Sequence, residues 1–172
     1  MNKLLVLFGR PGCGKTTLIE KFVKHNSAYR YLDVYTFVRD LKDQTGLVGE
    51  DMIIKAYERV YQDLNKAIDS VIFESGTKHP EYNLKQLAFL SDRFKISLIF
   101  CHQDIEICRQ RCLERQAKNL ENKYVKPRTL EIRLKRPYPD IHQRLASEFN
   151  LPCHHLDMSM PFEDRINFLN NL

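Results

Sequence analysis

The chain has 172 residues, 43% of them hydrophobic and 28% charged, with a formal net charge of +5 at pH 7. That length fits one domain, large enough to bury roughly 70% of its unfolded surface, and the composition excludes a disordered or fibrous chain. The basic excess suits an anionic ligand but is too small to argue for nucleic acid, and no apolar run approaches the ~18 residues of a membrane span.

Leu4–Phe8 is a continuous apolar run, as expected of a strand buried on both faces. Leu18, Ile19, Phe22 and Val23 then fall on one face of a helix over Thr16–His25. Tyr31–Val34 reads as a second strand ending near Asp33. Ile53, Ala56, Tyr57, Val60, Leu64 and Ile68 recur at helical spacing ahead of Ser70. Val71–Phe73 is the third strand, closed by Glu74-Ser75-Gly76, and Leu84–Phe94 is helical. Ile96–Cys101 is the fourth strand, and Asp104 caps a helix running to about Ala117. Residues 118–128 are polar and basic. A helix from about Thr129 is interrupted by Pro137 and Pro139. Cys153–Leu156 is the fifth strand, and Pro161 opens a last helix to Asn170.

This alternation predicts an α/β three-layer sandwich: a five-stranded parallel sheet with helices on both faces, and a short helical lid at about 118–128. Ligands of such sheets bind beyond the carboxyl ends of the strands. The chemistry is therefore expected just after each strand.

The first such position carries the strongest signal. Gly9, Gly14, Lys15 and Thr16 satisfy G-x-x-x-x-G-K-[ST] between a strand and a helix. Glycines permit the close backbone approach, and the N–H groups of the loop form an anion-binding concavity at a helix N-terminus. Lys15 adds positive charge at the β- and γ-phosphates, and the Thr16 hydroxyl reaches Mg²⁺. The whole loop is a candidate nucleotide contact: Gly9, Arg10, Pro11, Gly12, Cys13, Gly14, Lys15, Thr16 and Thr17. ATP is the expected nucleotide, because Asn65-Lys66-Ala67-Ile68 and Asn122-Lys123-Tyr124-Val125 both lack the Asp of a guanine clamp.

Two acidic residues follow strands. Glu74 can hold Mg²⁺ through water or orient a nucleophile. Asp33 can accept the proton of an acceptor hydroxyl, or simply cap a helix. Four basic residues form a second set: Arg39, Lys78, and the i,i+4 neighbours Arg111 and Arg115. A phosphoryl group in flight spreads charge over three oxygens, which the planar fork of arginine suits. Arg133 and Arg144 follow.

The segments GRPGCGKT, TFVRDL, VIFESGTK and CRQRCLERQ occur in the order and spacing of the adenylate-kinase-like nucleoside monophosphate kinases, and the chain resembles that family over nearly its whole length. The resemblance implies that Arg39 and Lys78 hold the phosphate of an acceptor nucleotide and that Glu74 stands near Mg²⁺. It implies that Arg115, with Arg111, stabilises the transferring phosphoryl group. Arg133 and Arg144, eleven residues apart, resemble the family's two arginines beyond the lid. There are departures. The family's Gly-Asp ahead of the Arg39 position reads Tyr35-Thr36, and its Asp-Gly-x-Pro-Arg reads Glu74-Ser75-Gly76-Thr77-Lys78. Related kinases of small metabolites and polynucleotides use a carboxylate after the second strand as base, a place Asp33 suits.

The five cysteines are scattered and odd in number, which does not read as a disulfide framework. No C-x₂-C pair points to zinc. Cys13 lies in the phosphate loop near a helix N-terminus, where a thiol is open to oxidation. Met1 leads into a strand pattern without the features of a secretory signal, so a cytoplasmic location is expected. The expected activity is an ATP- and Mg²⁺-dependent phosphotransferase acting on a small-molecule acceptor. A nucleoside monophosphate is the first reading, a hydroxyl on a metabolite, nucleoside or polynucleotide 5′ end the second, and an ATPase or switch protein the third.

Overall fold

The computed structural model describes residues 1–45, 49–118 and 127–172. Five parallel strands form one sheet in the order β2-β3-β1-β4-β5. They are β1 (Asn2–Phe8), β2 (Tyr29–Leu32), β3 (Ser70–Ser75), β4 (Phe94–His102) and β5 (Cys153–Asp157). The helices among the described residues are α1 (Lys15–His25), α2 (Val34–Thr45), α3 (Glu50–Lys66), α4 (Pro80–Phe89), α5 (Ile105–Lys118), α6 (Pro127–Leu134), α7 (Asp140–Glu148) and α8 (Phe162–Asn170). The expected three-layer α/β architecture is present. The expected lid falls largely on residues outside the described set.

The apolar run of β1 makes it the central strand, since only a strand covered on both faces needs both of its faces apolar. Leu4, Val6 and Phe8 pack in one cluster with Tyr57, Val60 and Leu64 of α3, Leu84 and Leu87 of α4, and Leu145 of α7. Leu5 and Leu7 pack in the other with Leu18, Ile19 and Phe22 of α1, Cys108 of α5 and Leu169 of α8. Register sets which strand ends meet. Phe8 pairs with Ser75 on one side and with Phe100 on the other. Leu32 pairs with Phe73, so Asp33 leaves β2 one step beyond that pair, where Glu74 follows Phe73.

Three boundaries differ from the sequence reading. Val34 opens α2 instead of closing β2. Asp33 starts that helix: its Oδ1 accepts the N–H of Tyr35 at 2.9 Å, and its carbonyl accepts that of Thr36 at 3.1 Å. Ile68 lies beyond the end of α3 and is 91% exposed. Phe94 opens β4, because the chain turns after Phe89 and Leu90. The helix expected from about Thr129 is interrupted at Pro137 and Pro139 as expected, which leaves α6 and α7 on either side. Asp104 caps α5 as expected, its Oδ1 accepting the N–H groups of Glu106 and Ile107 at 2.8 and 3.1 Å.

Candidate active site

The phosphate loop joins β1 to α1. Gly12 and Gly14 take left-handed backbone conformations, with φ of 82° and 99°, which L side chains resist. Space demands glycine as well: a Cβ on Gly12 would stand 2.4 Å from the Cys108 carbonyl oxygen. Lys15 opens α1 and bends back over the loop. Its Nζ donates to the Gly9 carbonyl at 2.9 Å and the Arg10 carbonyl at 3.2 Å, and lies 4.0 Å from Glu74 Oε2. Burial opposes the charge on this ammonium, but Cys13 and Glu74 outweigh it and hold its pKa above the ordinary lysine value. The cation is thus kept at the loop by weak carbonyl bonds that a phosphate can displace.

Glu74, near the end of β3, is 8% exposed. Its Oε1 accepts two hydroxyls: Thr16 Oγ1 at 2.7 Å and Tyr31 OH at 3.0 Å. Burial first, then the charges of Glu74 and Asp33, push the Tyr31 phenol far up, so it stays a donor. Thr16 and Glu74 offer hard oxygen atoms side by side, one on a helix start and one on a strand end. They fit a Mg²⁺ ion that keeps most of its shell as water and nucleotide phosphate. Among the described residues no group of three or more His, Cys, Asp or Glu side chains stands ready to hold a metal, and such a Mg²⁺ needs none. Tyr31 escaped the sequence reading. No local pattern announces it, because Tyr31 meets Glu74 only through the pairing of β2 with β3.

On the β2 side, Asp33 and Arg39 form one unit. Asp33 Oδ2 accepts Thr36 Oγ1 at 3.1 Å and lies 3.8 Å from Arg39 Nη2, which itself donates to Thr36 Oγ1 at 3.2 Å. The helix-capping reading of Asp33 is therefore real, and it leaves carboxylate lone pairs for a further donor. Lys78 is half-buried ahead of α4, and its carbonyl accepts Asn83 Nδ2 at 3.3 Å.

On the α5 side, Arg111 Nη1 donates to the Gly12 carbonyl at 3.4 Å, which puts this guanidinium at the loop. Arg115 lies one turn further, its Nε donating to the Arg111 carbonyl at 3.3 Å and its Nη2 touching Cys112 Sγ at 3.6 Å. Arg133 lies near the end of α6. Arg144 is on α7, 68% exposed, with Glu148 one turn on as its partner at 3.7 Å.

Cys13, Cys101, Cys108 and Cys112 are all buried around the loop. The Cys13 thiol accepts from Lys15 Nζ at 3.6 Å and faces Gly9 and Cys101. At 1% exposure it sits out of reach of a bulky thiol reagent. Burial pushes the Cys108 thiol up to about 11.

Three contacts with no local sequence signature complete the surroundings. Arg10 turns out of the loop to α6. Tyr138 OH donates to the carbonyls of Phe8 and Cys101 at 2.8 and 3.2 Å, at the ends of β1 and β4. Arg109 of α5 grips Glu131 of α6 with two bonds of 2.6 and 3.0 Å.

No protein-family model matches the chain, and no curated protein matches it. Solved structures do. A candidate kinase from Chloroflexus aurantiacus superposes with a TM-score of 0.75 at 18% identity, over 99% of this chain and 97% of that one. Deoxyadenosine kinase from M. mycoides matches with a TM-score of 0.62 at 15% identity, over 98% and 96%. Shikimate kinase from Acinetobacter baumannii matches with a TM-score of 0.62 at 17% identity, over 99% and 92%. The fold is that of the P-loop kinases.

Proposed function

We propose that the chain is an ATP- and Mg²⁺-dependent kinase that phosphorylates a hydroxyl group of a small molecule. The observation that carries this reading is the Asp33–Arg39 unit, a carboxylate held just after β2 that accepts the Tyr35 N–H and the Thr36 hydroxyl and keeps lone pairs for a further donor. The neighbours named for deoxyadenosine and for shikimate, both hydroxyl-bearing molecules, support it.

The residues around the loop and after β2 and β3 then have these tasks. Lys15 exchanges the Gly9 and Arg10 carbonyls for the β- and γ-phosphates. Thr16 and Glu74 hold the Mg²⁺, which neutralises phosphate charge when bound. Asp33 takes the acceptor's hydroxyl proton as its oxygen bonds to the γ-phosphorus, and the bond from that phosphorus to the β,γ-bridging oxygen breaks to release ADP. Arg111, at the Gly12 carbonyl, and Arg115 neutralise the transferring group. Arg39 and Lys78 orient the acceptor.

A nucleoside monophosphate acceptor is the second reading, favoured by the two cationic residues Arg39 and Lys78 after β2 and β3. There Arg39 gives up Asp33 for the acceptor's phosphate. A screen with labelled ATP, Mg²⁺, sugars, nucleosides, nucleoside monophosphates and 5′-hydroxyl oligonucleotides tests both. Transfer to a hydroxyl that Asp33→Asn abolishes is expected. Transfer to monophosphates that Asp33→Asn leaves intact selects the second reading. Hydrolysis with no transfer to any acceptor refutes both.

A further inference from the structure

The side chain of Arg10 does not serve the loop it belongs to. Its Nε donates to the Leu134 carbonyl at 2.8 Å and its Nη2 to the Tyr138 carbonyl at 3.2 Å, with the guanidinium 5.4 Å from the centre of the Tyr138 ring. Leu134 is the last residue of α6, so its carbonyl is one of those a helix leaves unpaired at its negative end. A planar cation with forked donors suits that place. Tyr138 in turn is fixed to the ends of β1 and β4 through its hydroxyl.

The backbone of Arg10 takes part in a different contact. Its carbonyl is one of the two that hold Lys15 Nζ. A residue whose carbonyl restrains the phosphate-seeking lysine thus also caps α6 with its side chain. A phosphate that draws Lys15 away would free the Arg10 carbonyl, while the Arg10 side chain is bonded to α6. Arg109 binds Glu131 from the other side, so α6 is held between α5 and the phosphate loop. Arg133 is its penultimate residue.

We infer that Arg10 is a positioning residue that couples nucleotide in the phosphate loop to the placement of α6, and through it of Arg133. The part assigned to Arg133 rests on the kinase reading and on its resemblance to an arginine beyond the lid of nucleoside monophosphate kinases; the coupling itself rests only on nucleotide binding.

Amide exchange of residues 129–138, read by mass spectrometry with and without β,γ-imido-ATP and Mg²⁺, tests the coupling directly. In the wild type the analogue slows exchange there by about fivefold or more. In Arg10→Met the analogue binds within about threefold of the wild-type Kd but leaves that exchange unchanged. Turnover supplies a second readout: Arg10→Met lowers kcat by about tenfold at nearly constant KM for ATP, and adding Arg133→Ala costs less than about threefold more, against about tenfold in the wild type. Arg10→Lys keeps the charge at the helix end and partly restores both readouts, and Arg10→Gln replaces the methionine variant should that one fail to fold. Equal protection of 129–138 in wild type and Arg10→Met, or an equal cost of Arg133→Ala in both, overturns the coupling. Binding of the analogue with no acceptor turned over refutes the kinase reading alone. No binding to the wild type removes both.

Discussion

His142 on α7 supplies a test with a calculable size. It is 1% exposed, packed edge-on against Phe8 at 5.2 Å, Tyr138 at 5.4 Å and Phe100 at 6.3 Å between ring centres. Neither ring nitrogen has a hydrogen-bond partner among the described residues. Burial alone drives its pKa from 6.5 down to about 4, since a charged imidazole there would lie against aromatic rings without compensation. The unfolded chain takes up a proton near 6.5 and the folded chain only near 4. Within that window the unfolded state binds more protons, so stability falls as pH falls. The gap between the two values amounts to about 3 kcal/mol in full, of which about 2 kcal/mol should appear between pH 7 and pH 4.5. His142→Phe removes the titration and both unpaired nitrogens while keeping a ring. Urea unfolding of both proteins at pH 7, 5.5 and 4.5 gives the difference in stability, which should move in favour of the variant by that amount on acidification. Any strain from the larger ring adds an offset independent of pH. A difference that stays constant within about 0.5 kcal/mol across the range refutes the assignment of a neutral, desolvated imidazole.

Glu74→Gln should raise the Mg²⁺ concentration needed for half-maximal activity by about tenfold or more, read by magnesium titration at saturating ATP. Tyr31→Phe removes one of the two donors on the same carboxylate oxygen and should shift that titration in the same direction by a smaller factor, with the fold unchanged by circular dichroism. Gly12→Ala must absorb both a φ of +82° and a Cβ 2.4 Å from the Cys108 carbonyl oxygen, and should cost about 2 kcal/mol or more in denaturant unfolding. Gly76→Ala meets nothing within 4 Å and should leave stability within about 1 kcal/mol, on the stabilising side.

The parts of the site legible in the sequence are those encoded locally. A doubly apolar run, a glycine spacing and a lysine-threonine pair define β1 and the loop, because backbone conformation there depends on neighbours a few residues away. Glu74 was legible because β3 ends one residue beyond it. α2 is not anticipated although Val34, Phe37, Val38 and Leu41 carry the helical period; its β-branched and aromatic start resembles a strand, and the Asp33 cap that decides the matter is also a candidate base. The contacts that join distant elements had no local trace. Tyr31 meets Glu74 across the β2–β3 register, and His155 meets His102 at 2.7 Å across β4–β5. Arg10 finds α6 from 124 residues away. Such contacts depend on strand order, which composition and period leave open.

Asp33 holds two tasks, and their separation decides between the acceptor classes. As a cap it accepts the Tyr35 N–H and the Thr36 hydroxyl; as a base it would accept a proton. Asparagine is as good an N-cap as aspartate, since its amide oxygen takes the Tyr35 N–H and its amide nitrogen can donate to Thr36 Oγ1. Asp33→Asn therefore keeps α2 in place and removes only the basicity and the ion pair with Arg39. That pair is inexpensive to lose, because the Arg39 side chain is 66% exposed and such pairs contribute about 0–1 kcal/mol. Unfolding of Asp33→Asn should thus stay within about 1 kcal/mol of the wild type, while transfer to a hydroxyl falls by about 10²–10⁴-fold, the usual worth of a general base. Arg39→Met removes the same ion pair and spares the carboxylate, so its loss should appear mainly in the acceptor KM. Equal losses of kcat in the two variants would mean that the pair acts as one electrostatic unit and that Asp33 is no base. A monophosphate acceptor reverses the order, with Arg39→Met the more damaging change, because the cation then meets the substrate and the carboxylate only competes for it.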